Sequence, residues 1–228
     1  MSAHPLSGSV VAVVGASGEL GSRLARGAAQ RGAHVVLVGR DERRLSCVLE
    51  AVPVVVGDLA DAALGERVAA TALEHHGRLD GVVNAAGVVA FGPLADTDDA
   101  VLEELFLTNV LGPLWLTRRV LPALSNSRGF VVQLSAVVAE QPLPGMVAYA
   151  ASKAALTAAD RALGRELRRL GVDVLDVRPP HTETGLAGRP LAGTAPRLPP
   201  GLDPDAVAGR ILDAVEAGES ELASTHFG

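Results

Sequence analysis

Short uninterrupted runs of Val, Ala and Leu alternate along this chain with longer stretches in which apolar residues return every three or four positions. The uninterrupted runs are 10–14, 35–38, 54–56, 82–83, 130–134 and 172–177. Runs rich in β-branched residues with no polar alternation predict strands covered on both faces. The stretches between them, such as 19–31, 62–76 and 149–170, carry helical periodicity. Together they predict a Rossmann-like α/β architecture: a doubly wound parallel sheet of about seven strands with helices on both faces. A last helix, 204–217, leads to a closing strand near 221–226. No repeat or linker divides the chain, so 1–228 is predicted to be a single domain. The segment 182–203, rich in Gly, Pro and Leu, breaks the alternation. A long loop inside a compact domain predicts a lid over a substrate site, the alternative being a solvated connector.

Composition narrows the partners. Of 228 residues 48% are hydrophobic but only 3% aromatic, so the core must be Val, Leu and Ala. A net charge of −6 argues against a nucleic-acid partner. The single cysteine, Cys47, rules out an internal disulfide framework and a Cys-based zinc site; it is expected to pack within an amphipathic helix. His75 and His76 end a helix, where cations suit the dipole, and they lack the spacing of a metal site, so no metal is expected. No signal segment opens the chain and no apolar run spans a bilayer, so a soluble cytoplasmic protein without a membrane partner is expected.

Directly after the first predicted strand comes Gly15-Ala16-Ser17-Gly18-Glu19-Leu20-Gly21, opening into a helix. Gly15 permits a tight turn, Gly18 lets backbone approach a pyrophosphate, and Gly21 lets helix pack on strand. The helix N-terminus offers free N–H groups and the positive dipole end to the phosphates. The second strand ends in Val38-Gly39-Arg40. A carboxylate there would bind a ribose 2′-hydroxyl, whereas Arg40 offers a fork to a 2′-phosphate, so NADP(H) is predicted over NAD(H). Arg40 as an ordinary surface charge is the alternative. Asp41 is expected to cap the following helix.

The only tyrosine and the only lysine lie four residues apart, in Tyr149-Ala150-Ala151-Ser152-Lys153. One helical turn puts both side chains on one face. An ammonium beside a phenol should push its pKa down from about 10, making Tyr149 a proton donor to a nascent alkoxide. A surface helical pair is the bland alternative.

With these pieces the chain resembles the short-chain dehydrogenase/reductase family over nearly its whole length. Asp58-Leu59 resembles the pair that contacts adenine. Asn84-Ala85-Ala86-Gly87 resembles the Asn-Asn-Ala-Gly element closing the fourth strand. Asn109, in Thr108-Asn109-Val110-Leu111-Gly112, resembles the helix asparagine that holds a relay water. Tyr149 and Lys153 match the acid and its partner, and the lysine of relatives also grips the nicotinamide ribose. Pro179 and Thr184 match part of a Pro-Gly-x-x-x-Thr element flanking the nicotinamide. The resemblance implies a homodimer or homotetramer acting on a small molecule.

Departures from the family pattern bear on activity. Relatives usually carry a serine thirteen positions before the tyrosine, where it polarises the substrate carbonyl; this chain has Ala136 there. Ser135 is one residue early, and alternation along a strand should turn it away. Losing such a donor costs about a hundredfold to a thousandfold in rate. Glu19 stands where the main branch has a glycine, and turned inward it would repel pyrophosphate. Pro180 replaces the glycine after Pro179 and stiffens the chain. His181 could donate to a substrate oxygen in place of the serine, or simply be solvated. Glu140 and Gln141 could line the substrate pocket. Arg189 and Arg197 could meet an anionic substrate. Trp115 is expected to pack, and the run Ala154, Ala155, Ala158, Ala159, Ala162 allows close approach of a second helix, from a partner or within the chain.

These residues predict an NADPH-dependent reductase of a ketone or related carbonyl, with Tyr149, Lys153 and Asn109 as catalytic groups. The alternative is a non-redox catalyst such as a cyclase or isomerase, or a cofactor-binding partner subunit of attenuated activity.

Overall fold

The computed structural model describes residues 2–228. Seven parallel strands form one sheet in the order β3-β2-β1-β4-β5-β6-β7. They are β1 (Val10–Val14), β2 (His34–Gly39), β3 (Val54–Val56), β4 (Gly81–Asn84), β5 (Phe130–Leu134), β6 (Asp173–Val177) and β7 (Glu221–Leu222). The helices are α1 (Glu19–Gln30), α2 (Glu42–Ser46), α3 (Leu64–His76), α4 (Asp99–Phe106), α5 (Gly112–Ser127), α6 (Val147–Glu166) and α7 (Pro204–Ala217). The predicted doubly wound sheet is thus observed.

Why the strand runs lack polar alternation is visible in the core. In β1, Val11 and Val13 pack with Leu24 and Ala28 of α1 and with Val207 and Ile211 of α7. Val10, Ala12 and Val14 point the other way, onto Val68 and Ala72 of α3 and Leu116 and Val120 of α5. Each face is therefore apolar, and burying a side chain of this size contributes about 1.5–3 kcal/mol. A third cluster, made of Val89, Ala90, Phe91, Leu105, Val138, Met146, Tyr149 and Ala150, lies beyond the strand ends.

Strand order reverses between β1 and β4, whose neighbours run outward in opposite directions. Connections leaving them therefore diverge and open a crevice beyond their C-terminal ends, where α/β sheets bind ligands.

Two expectations change. The closing strand is only two residues long, because residues Ser224–Phe227 coil into a short helical turn. Cys47 is exposed rather than packed, since α2 ends at Ser46 and Cys47 is its C-terminal cap. Asp41 does cap α2, accepting from Arg44 N at 3.1 Å.

Candidate active site

Beyond β1 the chain turns at Gly15 with φ +76°. A Cβ there would lie 2.8 Å from Ala86 N, so only glycine lets the turn meet the end of β4 backbone to backbone. A Cβ on Gly21 would strike the Gly15 carbonyl, so α1 rests directly on the turn. Gly18 is the N-cap of α1 and no side chain caps it, which leaves first-turn N–H groups and the positive dipole end to an anion. Glu19 turns aside to pair with Arg23 at 2.7 Å. Glycine backbone at Gly15, Gly18 and Gly21 beside an uncapped helix end fits the pyrophosphate of a dinucleotide.

At the tip of β2, Arg40 is 76% exposed along its side chain and lies 3.5 Å from Asp58 Oδ2. Arg44 reaches back from α2 and donates to the Ser17 carbonyl at 2.8 Å. A Cβ on Gly39 would touch Ser17 Oγ at 3.4 Å. Ser17 and Arg44 therefore gather at Gly39, with Arg40 next in the chain; the local sequence does not single out Arg44, because its reach depends on where α2 lands. Asp58 Oδ1 accepts from Ala60 N at 2.9 Å, and Leu59 is buried against Gly112, whose Cβ would be 2.6 Å from the Leu59 carbonyl.

Beneath the crevice, Asn84 donates to Gln133 at 2.8 Å, and Gln133 donates to Thr117 at 3.0 Å. The backbone N–H of Ala86 donates to Asn84 Oδ1 at 3.2 Å. These buried amides fix the end of β4 and deliver Ala85, Ala86 and Gly87 to the crevice. A Cβ on Gly87 would be 3.3 Å from both Asn109 Oδ1 and Lys153 Nζ. The glycine thus sits where two candidate catalytic side chains converge.

Asn109 occupies a π-helical turn, Leu107–Leu111, between α4 and α5. One residue too many in a turn re-aims side chains, and such turns recur at functional sites. Its amide pairs with Val88 in both directions, accepting from Val88 N at 3.0 Å and donating to Val88 O at 2.9 Å. It also donates to Ser152 Oγ at 3.1 Å, and Ser152 donates to the Tyr149 carbonyl at 2.8 Å. Asn109 is therefore bound to the helix that carries Tyr149 and Lys153.

Tyr149 is 7% exposed and Lys153 is buried below it on α6. Lys153 Nζ donates to the Leu134 carbonyl at 2.8 Å. Burial pushes the Tyr149 phenol up from its ordinary value. It pushes the lysine down to about 8, against the opposing pull of Asp160 and Asp176. The expected lowering of the phenol by Lys153 is thus not found in the free protein, where desolvation of the phenolate in an apolar cluster sets the direction.

Ala136 packs in the same apolar cluster as Tyr149. Ser135 turns the other way, into α6, where it donates to the Lys153 carbonyl at 2.8 Å and accepts from Thr157 at 2.9 Å. Glu140 is committed to Arg178, 2.7 Å away, and to the hydroxyl of Ser224 at 2.6 Å. Pro179 accepts from Val137 N at 3.0 Å, joining the ends of β5 and β6. Thr184 N donates to Thr182 O at 2.7 Å. His181, 3.6 Å from Glu183, lines an open cleft of ≈ 690 Å³ with Arg197, Leu198, Pro199 and Pro200.

The segment 182–203 is fastened at several points. Thr182 bridges Leu202, Leu191 N donates to Val89 O at 2.8 Å, and Phe91 N donates to Ala192 O at 3.0 Å. Its Leu186, Ala187 and Ala195 pack on the Tyr149 cluster. Arg189 bonds back to the carbonyls of Gly185 and Thr184, at 3.2 and 3.3 Å. On α6, Ala154, Ala158 and Ala162 are exposed, so these members of the small-residue run do not pack on the sheet, and Trp115 is half-buried.

Among the described residues no helix is long and apolar enough to cross a membrane. The short chain dehydrogenase family pattern matches residues 9–192. A Danio rerio protein named dehydrogenase/reductase SDR family member 7B is 34% identical over 227 residues, covering 90% of this chain and 74% of the relative. An uncharacterized oxidoreductase of Staphylococcus epidermidis is 31% identical over 180 residues, covering 77% of this chain and 78% of the relative. A crystal structure of a short chain dehydrogenase from Burkholderia cenocepacia in complex with NADP superposes with a TM-score of 0.85 at 26% identity, covering 96% of this chain and 89% of that one. A short-chain dehydrogenase from Streptomyces avermitilis gives 0.84 at 29% identity, with 96% and 90% covered.

Proposed function

The chain belongs to the short-chain dehydrogenase family and is an NAD(P)-dependent oxidoreductase, and on that premise we propose that it is an NADPH-dependent reductase of an apolar ketone or related carbonyl. The observation that carries this reading is the convergence of Asn109 and Lys153 on Gly87, on the helix face of the one tyrosine. NADPH, when bound, would supply the hydride. Tyr149 donates its phenolic proton to the substrate oxygen as negative charge develops there. Lys153 stabilises the phenolate left behind and holds the nicotinamide ribose. Asn109 steadies α6 against the Val88 backbone and, as the resemblance implies, anchors the relay water. The glycine turn from Gly15 to Gly21 binds pyrophosphate, with Ser17 and Leu20 beside it, and Asp58-Leu59 borders the adenine. Arg40 and Arg44 select the 2′-phosphate. Pro179 and Thr184 flank the nicotinamide.

Val89, Phe91, Val138, Met146 and the half-buried Leu186 around Tyr149 favour an apolar substrate. In this reading the segment 182–203 is the lid of a single domain, and His181 lies at its hinge. Ala136 stands where a relative's serine would polarise the carbonyl, so the oxygen must find a substitute donor from His181, a water or the substrate itself. The same missing hydroxyl favours a second reading, a non-redox catalyst or a cofactor-binding partner subunit. Calorimetric titration with NADPH and NADH, followed by turnover with apolar ketones, separates them. Tight NADPH binding with stoichiometric oxidation upholds the reductase, whereas binding without consumption leaves the second reading. Absence of binding removes the reductase and the cofactor-binding subunit.

A further inference from the structure

Three oxygen–oxygen contacts run in line between α6 and the strands it covers. Lys153 O meets Ser135 Oγ at 2.8 Å, Ser135 Oγ meets Thr157 Oγ1 at 2.9 Å, and Thr157 Oγ1 meets Asp176 Oδ1 at 3.2 Å. Each contact is attractive only with a hydrogen in it, and a backbone carbonyl has none to give. Two hydroxyls supply two hydrogens for three contacts. The third must come from the carboxyl of Asp176. If that carboxyl is ionised, one contact is left without a hydrogen, either Ser135–Lys153 or Ser135–Thr157.

Asp160 lies on α6 one turn beyond Thr157 and is 2% exposed; Asp176 is 3% exposed. Among the described residues neither oxygen of Asp160 has a hydrogen-bond partner. Burial pushes the Asp160 carboxyl up, the like charge of Asp176 adds to this, and Lys153 opposes. Burial also pushes Asp176 up, against Arg178, Thr157 and Arg161. Two ionised carboxylates in this space would be costly. Yet the ammonium of Lys153 is equally buried and needs a counter-charge.

The surrounding charges are otherwise matched. Arg178, at the end of β6, pairs with Glu140 from the loop after β5 at 2.7 Å and with Glu221 of β7. Its Nε lies 3.1 Å from Asp176 Oδ2, but without the alignment of a hydrogen bond. Arg161 of α6 meets Glu221 at 3.3 Å. From α4, Glu104 accepts from Thr108 at 2.8 Å. Arg178 and Arg161 are thus matched by Glu140 and Glu221, which leaves Lys153 with Asp160 and with Asp176, whose Oδ2 also faces Arg178.

We propose that Asp160 and Asp176 share one proton at neutral pH, and that the single negative charge left on the pair is the counter-charge holding Lys153 as an ammonium. Both carboxyls are positioning residues, acting through Lys153. Both ionised would leave excess buried charge and an unfilled contact, and both neutral would leave the lysine unbalanced. Losing one carboxyl is compensated by the other: Asp160→Asn lets Asp176 ionise and the hydroxyl line reverse, while Asp176→Asn donates to Thr157 and leaves the charge on Asp160.

The inference relies on the proposed reaction only for the importance of Lys153, and its test needs neither cofactor nor substrate. Lys153 is the only lysine, so protein labelled with carbon-13 at the lysine ε position gives a single side-chain signal whose titration belongs to this residue. The free wild-type protein should also have an infrared carboxylic-acid band at neutral pH. Each single Asn variant should abolish that band yet leave the lysine midpoint in place. The double variant should lower the midpoint by about 1 pH unit, a tenfold loss of proton affinity. No acid band in the wild type overturns the proposal. So does a single variant that shifts the lysine as far as the double, or a double variant that leaves it unmoved. Should the double variant not fold, the wild-type band and the two single variants still decide. Failure of NADPH turnover would remove the reductase reading and leave this titration untouched.

Discussion

The hydroxyl of Ser135 donates to the backbone carbonyl of Lys153 at 2.8 Å, while the ammonium of Lys153 donates to the carbonyl of Leu134, Ser135's neighbour, at the same distance. The two bonds run in opposite senses between the end of β5 and α6 and lock the lysine's height above the sheet. A serine placed here serves the helix. Its hydroxyl is already spent, which separates it from the donor that relatives carry one position later.

Replacing Ser135 by Ala should therefore lower stability, by about 1–3 kcal/mol, because a buried hydroxyl line is left incomplete. Ala136→Ser should leave stability unchanged and keep or raise kcat, by up to about a hundredfold if the new hydroxyl reaches the substrate oxygen. Denaturant unfolding and steady-state rates measure the two effects separately. A Ser135→Ala variant of full stability and no activity would reverse the assignment.

Tyr149→Phe keeps the packing of the ring and removes the proton. Turnover should fall at least about a hundredfold, while NADPH affinity stays within about twofold of the wild type. Retained activity would mean that another group protonates the product.

Arg40 stands at the tip of β2 with its guanidinium largely exposed and only a 3.5 Å contact to Asp58. A charge-assisted bond of about 1.5–3 kcal/mol to a 2′-phosphate predicts that Arg40→Ala weakens NADPH about tenfold to a hundredfold and leaves NADH unaffected. Calorimetry with both nucleotides gives the answer. Equal loss for both would assign Arg40 to the adenosine, with Arg44 left as selector.

Much of this was legible along the chain because the relevant signals are local. Valine runs marked strands covered on both faces, and the glycine turn, the Tyr149–Lys153 spacing and the Asp41 cap each lie within a few residues. What stayed unread depends on burial. Asp160 looks like a solvated position on a helix, and Asp176 like a polar interruption in a strand. Only the packing of α6 on β6 buries both and brings their charges to bear on one another and on Lys153. Arg44 is hidden for the same reason, since its bond to Ser17 needs α2 to land over the glycine turn. For the Tyr149 phenol the converse holds: spacing reveals the neighbouring ammonium but not the apolar cluster whose desolvation raises the phenol.

The depressed Lys153 gives a pH signature. Its folded value is about 8 against 10.5 ordinarily. Between those values the unfolded chain binds more protons than the native one, so this group's contribution makes stability rise with pH. The raised Tyr149 works in the opposite sense, above about pH 10, where the unfolded phenol ionises first. Denaturant unfolding should therefore give stability increasing from pH 8 toward 10 and then falling. Lys153→Met should flatten the rise and spare the fall. A rise that persists in this variant would belong to another group.

The lid can be tested at a glycine. Gly193 has φ +73°, and a Cβ there would collide with the carbonyl of Phe91, whose own N–H donates to Ala192 at 3.0 Å. Gly185 has φ +66° with nothing near its Cβ position. Alanine at either site bears the left-handed strain of about 1–2 kcal/mol, but only alanine at 193 pushes the segment off Val89 and Phe91. Gly193→Ala should therefore speed proteolytic cleavage within 182–203 and raise KM for the apolar carbonyl, because the cover over Tyr149 is loosened. Gly185→Ala should lower Tm slightly and leave both readouts alone. If the two variants behave alike, backbone strain rather than contact with Phe91 governs the segment. If Gly193→Ala raises cleavage without changing KM, the segment is a fastened connector and does not cover the substrate.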